Sequence, residues 1–152
     1  MSEPLNLHGC AIRIGDLGIL IRGPARSGKS SLALSTLRRC SALNLEALLV
    51  ADDRVVVAQD GGNAVSMSAP ATLAGLIEVS GIGILREPFA ASARLGLVVD
   101  LVDPAGIERL PEPRTAKILG QAIRRVELPA REAGFGADIL ASLVLSPPVN
   151  DV

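Results

Sequence analysis

The sequence predicts an α/β fold in which a mixed β-sheet is flanked by helices. The short, continuously apolar run at residues 47–51 is typical of a strand that is buried on both faces, and the largely apolar residues 97–102 predict another buried strand. Other segments alternate between core and solvent positions around turn residues, which is typical of β-hairpins. Because hairpins and strand–helix units occur in the same chain, we expect antiparallel and parallel strands in one sheet.

The first half of the chain predicts two hairpins and one helix. Residues 10–14 and 19–22 flank the turn residues Gly15-Asp16-Leu17-Gly18, and residues 54–58 and 64–68 flank Asp60-Gly61-Gly62. Between these hairpins, residues 31–39 place apolar side chains on one helical face.

The remaining elements are predicted to follow in chain order. They are a short helix from Thr72 through Ile77, the strand at 97–102, a mostly helical segment at 114–125, a strand at 126–129 and a helix at 137–145.

Composition limits the classes of function. The 152 residues, 49% of them hydrophobic and 20% charged, suit one globular domain over residues 1–152. The net charge of −1 and the aromatic content of 1% argue against binding to nucleic acid or to a membrane surface. No signal peptide is recognisable at the N-terminus, and Cys10 and Cys40 are too few for a disulfide scaffold. We therefore expect a cytoplasmic protein with reduced cysteines.

One segment fits the phosphate-binding pattern G-x-x-x-x-G-K-[ST] at every required position. It consists of Gly23, Pro24, Ala25, Arg26, Ser27, Gly28, Lys29 and Ser30. Glycines let the backbone curl so that successive N–H groups point at phosphate oxygens, and the helix that follows adds its positive end. Lys29 is expected to reach the β- and γ-phosphates of a nucleoside triphosphate, and the Ser30 hydroxyl to bind Mg²⁺.

Two adjacent carboxylates follow the buried strand at 47–51. Asp52 and Asp53 stand at the end of a strand, where catalytic groups are commonly presented. On an extended backbone their side chains point to opposite sides, so that one can face a metal ion and the other the incoming group. The alternative is a pair that caps a turn or a helix.

The chain resembles the catalytic domain of the HPr kinase/phosphorylase family. The resemblance rests on His8-Gly9, the phosphate loop, and the segments 50–55 (VADDRV) and 77–84 (IEVSGIGI). The family's enzymes phosphorylate, and often dephosphorylate, a serine of the phosphocarrier protein HPr. The resemblance thus implies a carboxykinase-like core, an ATP- and Mg²⁺-dependent protein-serine kinase, HPr and inorganic phosphate as partners, and a homo-oligomer, by resemblance a hexamer.

The resemblance also implies roles for single residues. Ser30 and Glu78 would bind Mg²⁺, and Asp53 would act as general base, with Asp52 beside it. His8 occupies the position of the family's active-site histidine, although a lone histidine is more often an ordinary packed or surface residue. Arg109 is the candidate for the catalytic arginine, with Arg94 and Arg114 as alternatives, and 126–135, which includes Arg131, loosely resembles a later catalytic loop.

The chain departs from the family at several positions. Arg26 stands where the family has glycine, and Ser80 where its signature tends to have arginine. The family usually carries an additional N-terminal domain, which we expect this short form to lack. Two other functions remain open: a P-loop kinase for a small metabolite, related to the ATP-dependent carboxykinases, and a non-catalytic module that senses a nucleotide.

Overall fold

The computed structural model describes residues 3–146, which form eleven strands and two α-helices. The first half contains β1 (Leu5–His8), β2 (Cys10–Ile14), β3 (Leu17–Arg22), α1 (Lys29–Ala42), β4 (Ala47–Ala51), β5 (Arg54–Gln59) and β6 (Val65–Ser68). The second half contains β7 (Leu76–Val79), β8 (Gly83–Arg86), β9 (Ala93–Val102), β10 (Arg114–Ile118), β11 (Gln121–Pro129) and α2 (Ala133–Leu145).

Nine of these strands form one mixed sheet, as the sequence predicts. Seven of them run in the order β1-β5-β6-β9-β3-β2-β4, and β11 pairs with β9 and with β10. The strands β3, β9 and β11 are parallel to one another, whereas the hairpins are antiparallel. The strands β7 and β8 form a separate two-stranded sheet.

Two strand–loop–helix units lie side by side in this sheet. The first runs from β3 into α1 and the second from β11 into α2, with β9 between the two strands. The helices touch closely, since a Cβ added to Gly136 of α2 would lie 2.6 Å from Leu32 Cδ1 of α1. Because the strands are parallel, both helices begin at the same edge of the sheet.

Alternating side chains of the central strands form two apolar cores. Ile12, Ile21 and Val99 belong to the core that α1 and α2 cover. Leu20 and Val98, one position along the chain, belong to a second core that includes residues of β5 and β6. The central strands are thus buried on both faces over most of their length, which explains their largely apolar sequences.

The two predicted hairpins, the strand at 97–102 and the helices predicted at 31–39 and 137–145 are confirmed, most of them with shifted bounds. The strands reach Leu17–Arg22, Arg54–Gln59, Val65–Ser68 and Ala93–Val102, and the helices Lys29–Ala42 and Ala133–Leu145. The predicted strand at 126–129 is the end of β11. Among residues 3–146, no helix has the length and apolarity needed to span a membrane.

The predicted helix at 114–125 is wrong, because these residues form the hairpin of β10 and β11. The turn lies at Leu119 and Gly120, whose φ values are 50° and 78°. Left-handed backbone at two successive positions cannot continue a helix and matches the twist of a tight hairpin. Within β10 and the first part of β11, buried or half-buried positions alternate with exposed ones, the period of a strand.

The predicted helix from Thr72 through Ile77 is also wrong. Only Ala71–Leu73 form a single 3₁₀ turn, without a side-chain cap from Thr72. Gly75 then adopts φ 76°, and a Cβ there would lie 2.6 Å from Phe89 Cδ1. The chain therefore leaves the turn in an extended direction and enters β7, where Ile77 is fully buried.

Candidate functional site

A cleft of about 670 Å³ lies where the three parallel strands end and both helices begin. Its walls come from the phosphate loop, the end of β4, the hairpin of β7 and β8, and the start of α2. The lining residues are Gly9, Ala25, Arg26, Gly28, Lys29, Ser30, Ser31, Asp52, Asp53, Glu78, Ser80, Arg131 and Ala133.

The phosphate loop has the curled backbone that its glycines predict. Gly28 has a φ of 93° and precedes the first turn of α1, and Arg26 adopts a φ of 64°. This conformation costs a residue with a Cβ about 1 kcal/mol. A Cβ on Gly23 would lie 2.5 Å from Ser27 Oγ. Glycine is therefore required sterically at Gly23 and conformationally at Gly28.

Lys29 lies folded back against its own loop. Its Nζ donates hydrogen bonds to the carbonyl oxygens of Gly23, at 2.9 Å, and Pro24, at 3.0 Å. These two neutral acceptors hold the ammonium group beside the curl of backbone N–H groups. A phosphate in the cleft offers charged oxygens in exchange, and hydrogen bonds to charged acceptors are stronger.

A second loop supports the phosphate loop from the side of α2. The backbone N–H of Arg131 donates to the Ser27 carbonyl at 2.9 Å, and Arg131 has a φ of 59°. The Cα of Arg131 lies so close to Gly28 that a Cβ on that glycine would be 3.5 Å away. Arg131 is thus a cleft residue, which its loose resemblance to a catalytic loop alone could not establish.

Asp52 is buried beneath the cleft and accepts two hydrogen bonds. Ser30 Oγ donates to Asp52 Oδ1 at 2.5 Å, and the backbone N–H of Glu78 donates to Oδ2 at 2.9 Å. Only 8% of Asp52 is exposed. The carboxylate therefore connects the phosphate loop to the hairpin of β7 and β8.

Asp53 differs from its neighbour in burial and in backbone conformation. It is exposed, and its φ is 67°. The expectation of an extended chain is wrong here, because the backbone turns between β4 and β5 and the Asp53 carbonyl accepts from the Gly9 N–H at 3.2 Å. Both carboxylates line the cleft, the first buried and the second open to solvent.

The thiol of Cys10 lies directly below this site. Complete burial raises its pKa, and the negative charge of the nearby Asp52 carboxylate raises that pKa further. Cys10 is therefore a neutral thiol rather than a nucleophile. Both cysteines are free and buried, as predicted.

The oxygen groups around Ser30 suit a magnesium ion whose ligands come partly from the protein and partly from a phosphate. Within the described part of the chain, no three His, Cys, Asp or Glu side chains converge as a metal cluster. Mg²⁺ in phosphate sites is characteristically held by one or two carboxylates, with the other positions filled by phosphate oxygens, hydroxyl groups and water. Ser30, Glu78 and the hydrogen-bonded Asp52 provide such a set at one edge of the cleft.

Two predicted catalytic residues do not line the cleft. His8 is exposed at the end of β1, opposite Arg54 and next to the cleft residue Gly9. Arg109 is exposed in the loop that precedes β10. The alternatives Arg94 and Arg114 do not line the cleft either: Arg94 is exposed near the start of β9, and Arg114 forms ion pairs with glutamates. Their catalytic roles remain predictions.

Comparison with known protein families assigns the chain to one family. The family model of the HPr Serine kinase C-terminal domain matches residues 1–147. The chain belongs to this family.

Members of the HPr serine kinase family with longer chains are similar over most of this one. The HPr kinase/phosphorylase of Aromatoleum aromaticum is 35% identical over 96% of this chain and 49% of its own length. That of Lactobacillus acidophilus is 35% identical over 86% of this chain and 42% of its own. The chain thus spans about half the length of these curated relatives.

A solved structure shows the same fold. The HPr(Ser) kinase/phosphatase from Coxiella burnetii superposes with a TM-score of 0.79 at 26% identity, covering 93% of this chain and 88% of that one. The predicted α/β fold is confirmed. Membership in a kinase family also implies the use of a nucleotide, which agrees with the phosphate loop in the cleft.

Proposed function

We propose that this protein is an ATP- and Mg²⁺-dependent serine kinase that phosphorylates the phosphocarrier protein HPr and can also remove that phosphate. The observation that supports it most directly is the composition of the cleft. The phosphate loop, Asp52, Asp53 and Glu78 surround one space at the ends of parallel strands. A nucleotide sensor needs the loop but gains nothing from an additional exposed carboxylate at that place.

The loop and its lysine would hold the triphosphate. Lys29 would exchange the carbonyls of Gly23 and Pro24 for phosphate oxygens, and the start of α1 would add its partial positive charge. Ser30, Glu78 and Asp52 would hold Mg²⁺, which when bound neutralises charge on the transferred phosphoryl group.

Asp53 would accept the proton of the attacking serine hydroxyl. It is the carboxylate in the cleft that is open to solvent, whereas the oxygens of Asp52 already accept from Ser30 and Glu78. In the reverse direction inorganic phosphate would attack the phosphorus of phosphoserine, and protonated Asp53 would return its proton to the departing serine oxygen, which leaves free serine and pyrophosphate.

The substitution Asp53→Asn tests this assignment against a non-catalytic role. The amide keeps the shape of the side chain but accepts no proton, so transfer of the γ-phosphate to HPr should fall at least 100-fold. ATP affinity, measured by calorimetry, should change less than threefold. Asp60→Asn, in the distant turn between β5 and β6, is the matched control and should retain full transfer. An Asp53→Asn protein that transfers phosphate at the unsubstituted rate would remove Asp53 as the base.

A further inference from the structure

The phosphate loop carries a long cationic side chain where its backbone favours glycine. Arg26 has a φ of 64°, in the left-handed region that residues with a Cβ seldom adopt. Packing of the side chain does not offset this strain, because Arg26 is exposed. A strained arginine on the surface of a binding loop points to a role for its guanidinium.

The Arg26 guanidinium has no partner within residues 3–146. Arginines elsewhere in the chain, such as Arg22, Arg38 and Arg125, form ion pairs with carboxylates. Arg26 forms neither an ion pair nor a side-chain hydrogen bond with any described residue, although it lines the cleft together with Lys29. The charge is therefore free for an anion that enters the cleft.

The backbone sets a second arginine beside the first. Ser27, the residue after Arg26, accepts the backbone hydrogen bond from Arg131, and Arg131 also lines the cleft. No carboxylate pairs with Arg131 among the described residues either. The guanidinium group forms paired hydrogen bonds with phosphate oxygens, a geometry that an ammonium group cannot supply.

We propose that Arg26 is a phosphate-binding residue that recognises the terminal phosphate of the group held in the loop, with Arg131 beside it. The inference rests on the proposed function and deepens it. The terminal phosphate can belong to ATP or can be a free or serine-linked phosphate. Each of these groups presents a terminal phosphate with charged oxygens.

The substitution Arg26→Gly removes the side chain and preserves the backbone conformation of the loop, so it tests the guanidinium group alone. Glycine accepts a φ of 64° without strain, so the melting temperature should not fall. Loss of two charge-assisted hydrogen bonds should weaken ATP binding at least tenfold by calorimetry, with a smaller loss for ADP. Asn44→Gly relieves a φ of 59° beyond the end of α1 and is the conformational control. Arg124→Ala, on the exposed face of β11, controls for the lost charge. Both controls should bind ATP normally.

Titration with inorganic phosphate distinguishes the two sources of the ligand. A loss of affinity for ATP alone assigns Arg26 to the nucleotide, and a loss for inorganic phosphate assigns it to the free or serine-linked group. If Arg26→Gly binds ATP, ADP and inorganic phosphate as tightly as the unsubstituted protein, this inference is overturned while the kinase proposal stands. If the unsubstituted protein binds no ATP, both are overturned.

Discussion

At the scale of single residues, the site depends on one buried carboxylate. Asp52 accepts from Ser30 at 2.5 Å and from the Glu78 N–H at 2.9 Å, and it lies against the Cys10 thiol. The Ser30 and Glu78 donors hold this carboxylate in one orientation, and the exposed Asp53 beside it is the carboxylate that we propose as the base. Adjacent residues of one chemical type thus differ in their surroundings through burial, hydrogen bonding and backbone conformation.

Gly23 offers the most direct test of the loop's steric requirements. In Gly23→Ala the new Cβ would lie 2.5 Å from Ser27 Oγ and 3.1 Å from Leu101 Cβ, so the loop must shift. We expect a loss of about 1–3 kcal/mol in the free energy of unfolding and at least a tenfold loss in ATP affinity. Gly106→Ala, where a Cβ meets nothing within 4 Å, is the control. A Gly23→Ala protein with normal ATP affinity would show that the loop does not hold the phosphates.

Asp100 connects the strands that carry the site. Arg22, the residue before the phosphate loop, binds its two oxygens at 2.8 and 2.9 Å, and Arg125 of β11 contacts it as well. Burial raises the pKa of the carboxyl group, but the hydrogen bonds from both arginines outweigh burial and lower the pKa overall. The charged form of Asp100 therefore stabilises the folded state.

Asp100→Asn should lower the free energy of unfolding by about 2–3 kcal/mol at pH 7, because it leaves two guanidinium groups without their carboxylate. The lowered pKa fixes the direction of the pH effect. The stabilisation is complete above the unfolded-state pKa of about 4 and is lost as the pH falls through the lower folded-state pKa. Urea titrations should thus show that the free energies of unfolding of the unsubstituted protein and of Asp100→Asn differ less at pH 3 than at pH 7. Asp60→Asn is the control, and an equal difference at both pH values would contradict the account.

At the scale of elements, the hairpin of β10 and β11 shows where sequence patterns mislead. Residues 114–125 include good helix formers such as Arg, Lys, Gln and Ala, and this propensity favoured a helix. The parallel pairing of β11 with β9 overrides it, since β11 must align its Val126 with Val99. Such pairing joins distant segments and leaves no local signal in the sequence.

Gly120→Ala distinguishes a hairpin from a helix at this position, because it should lower the stability of a hairpin and raise that of a helix. At a φ of 78° with open space around the new Cβ, the substitution should cost about 1 kcal/mol of stability through backbone strain alone. In a helix the same change would stabilise the protein by about 0.5–1 kcal/mol. Gly62→Ala, equally unhindered but without a positive φ, is the control for thermal unfolding. An increase in stability for Gly120→Ala would contradict the hairpin.

The candidate site divides into a part that the sequence could predict and a part that it could not. The phosphate loop is a contiguous motif, so its strand, curl and helix could be read directly from residues 23–30. The sequence also predicts Asp52 and Asp53, which directly follow an apolar strand, and Glu78, which lies in the segment 77–84 that resembles the family. The meeting of Arg131 with Ser27 depends on two parallel strands that flank β9, and tertiary pairing of that kind has no local motif.

At the scale of the whole molecule, the fold concentrates its polar groups at one edge of the sheet. Both helices begin there, and the lysine, arginines and carboxylates of the cleft come from four separate segments. The apolar cores on both faces of the sheet hold these segments in register.

The central claim is that this cleft transfers phosphate to a serine of HPr. Mass spectrometry of purified HPr, incubated with this protein, ATP and Mg²⁺, tests it most directly. We predict that HPr gains one phosphate, located on serine by fragmentation, and loses it when inorganic phosphate replaces ATP. Transfer of the γ-phosphate to a small metabolite, with HPr unchanged in mass, would contradict the account.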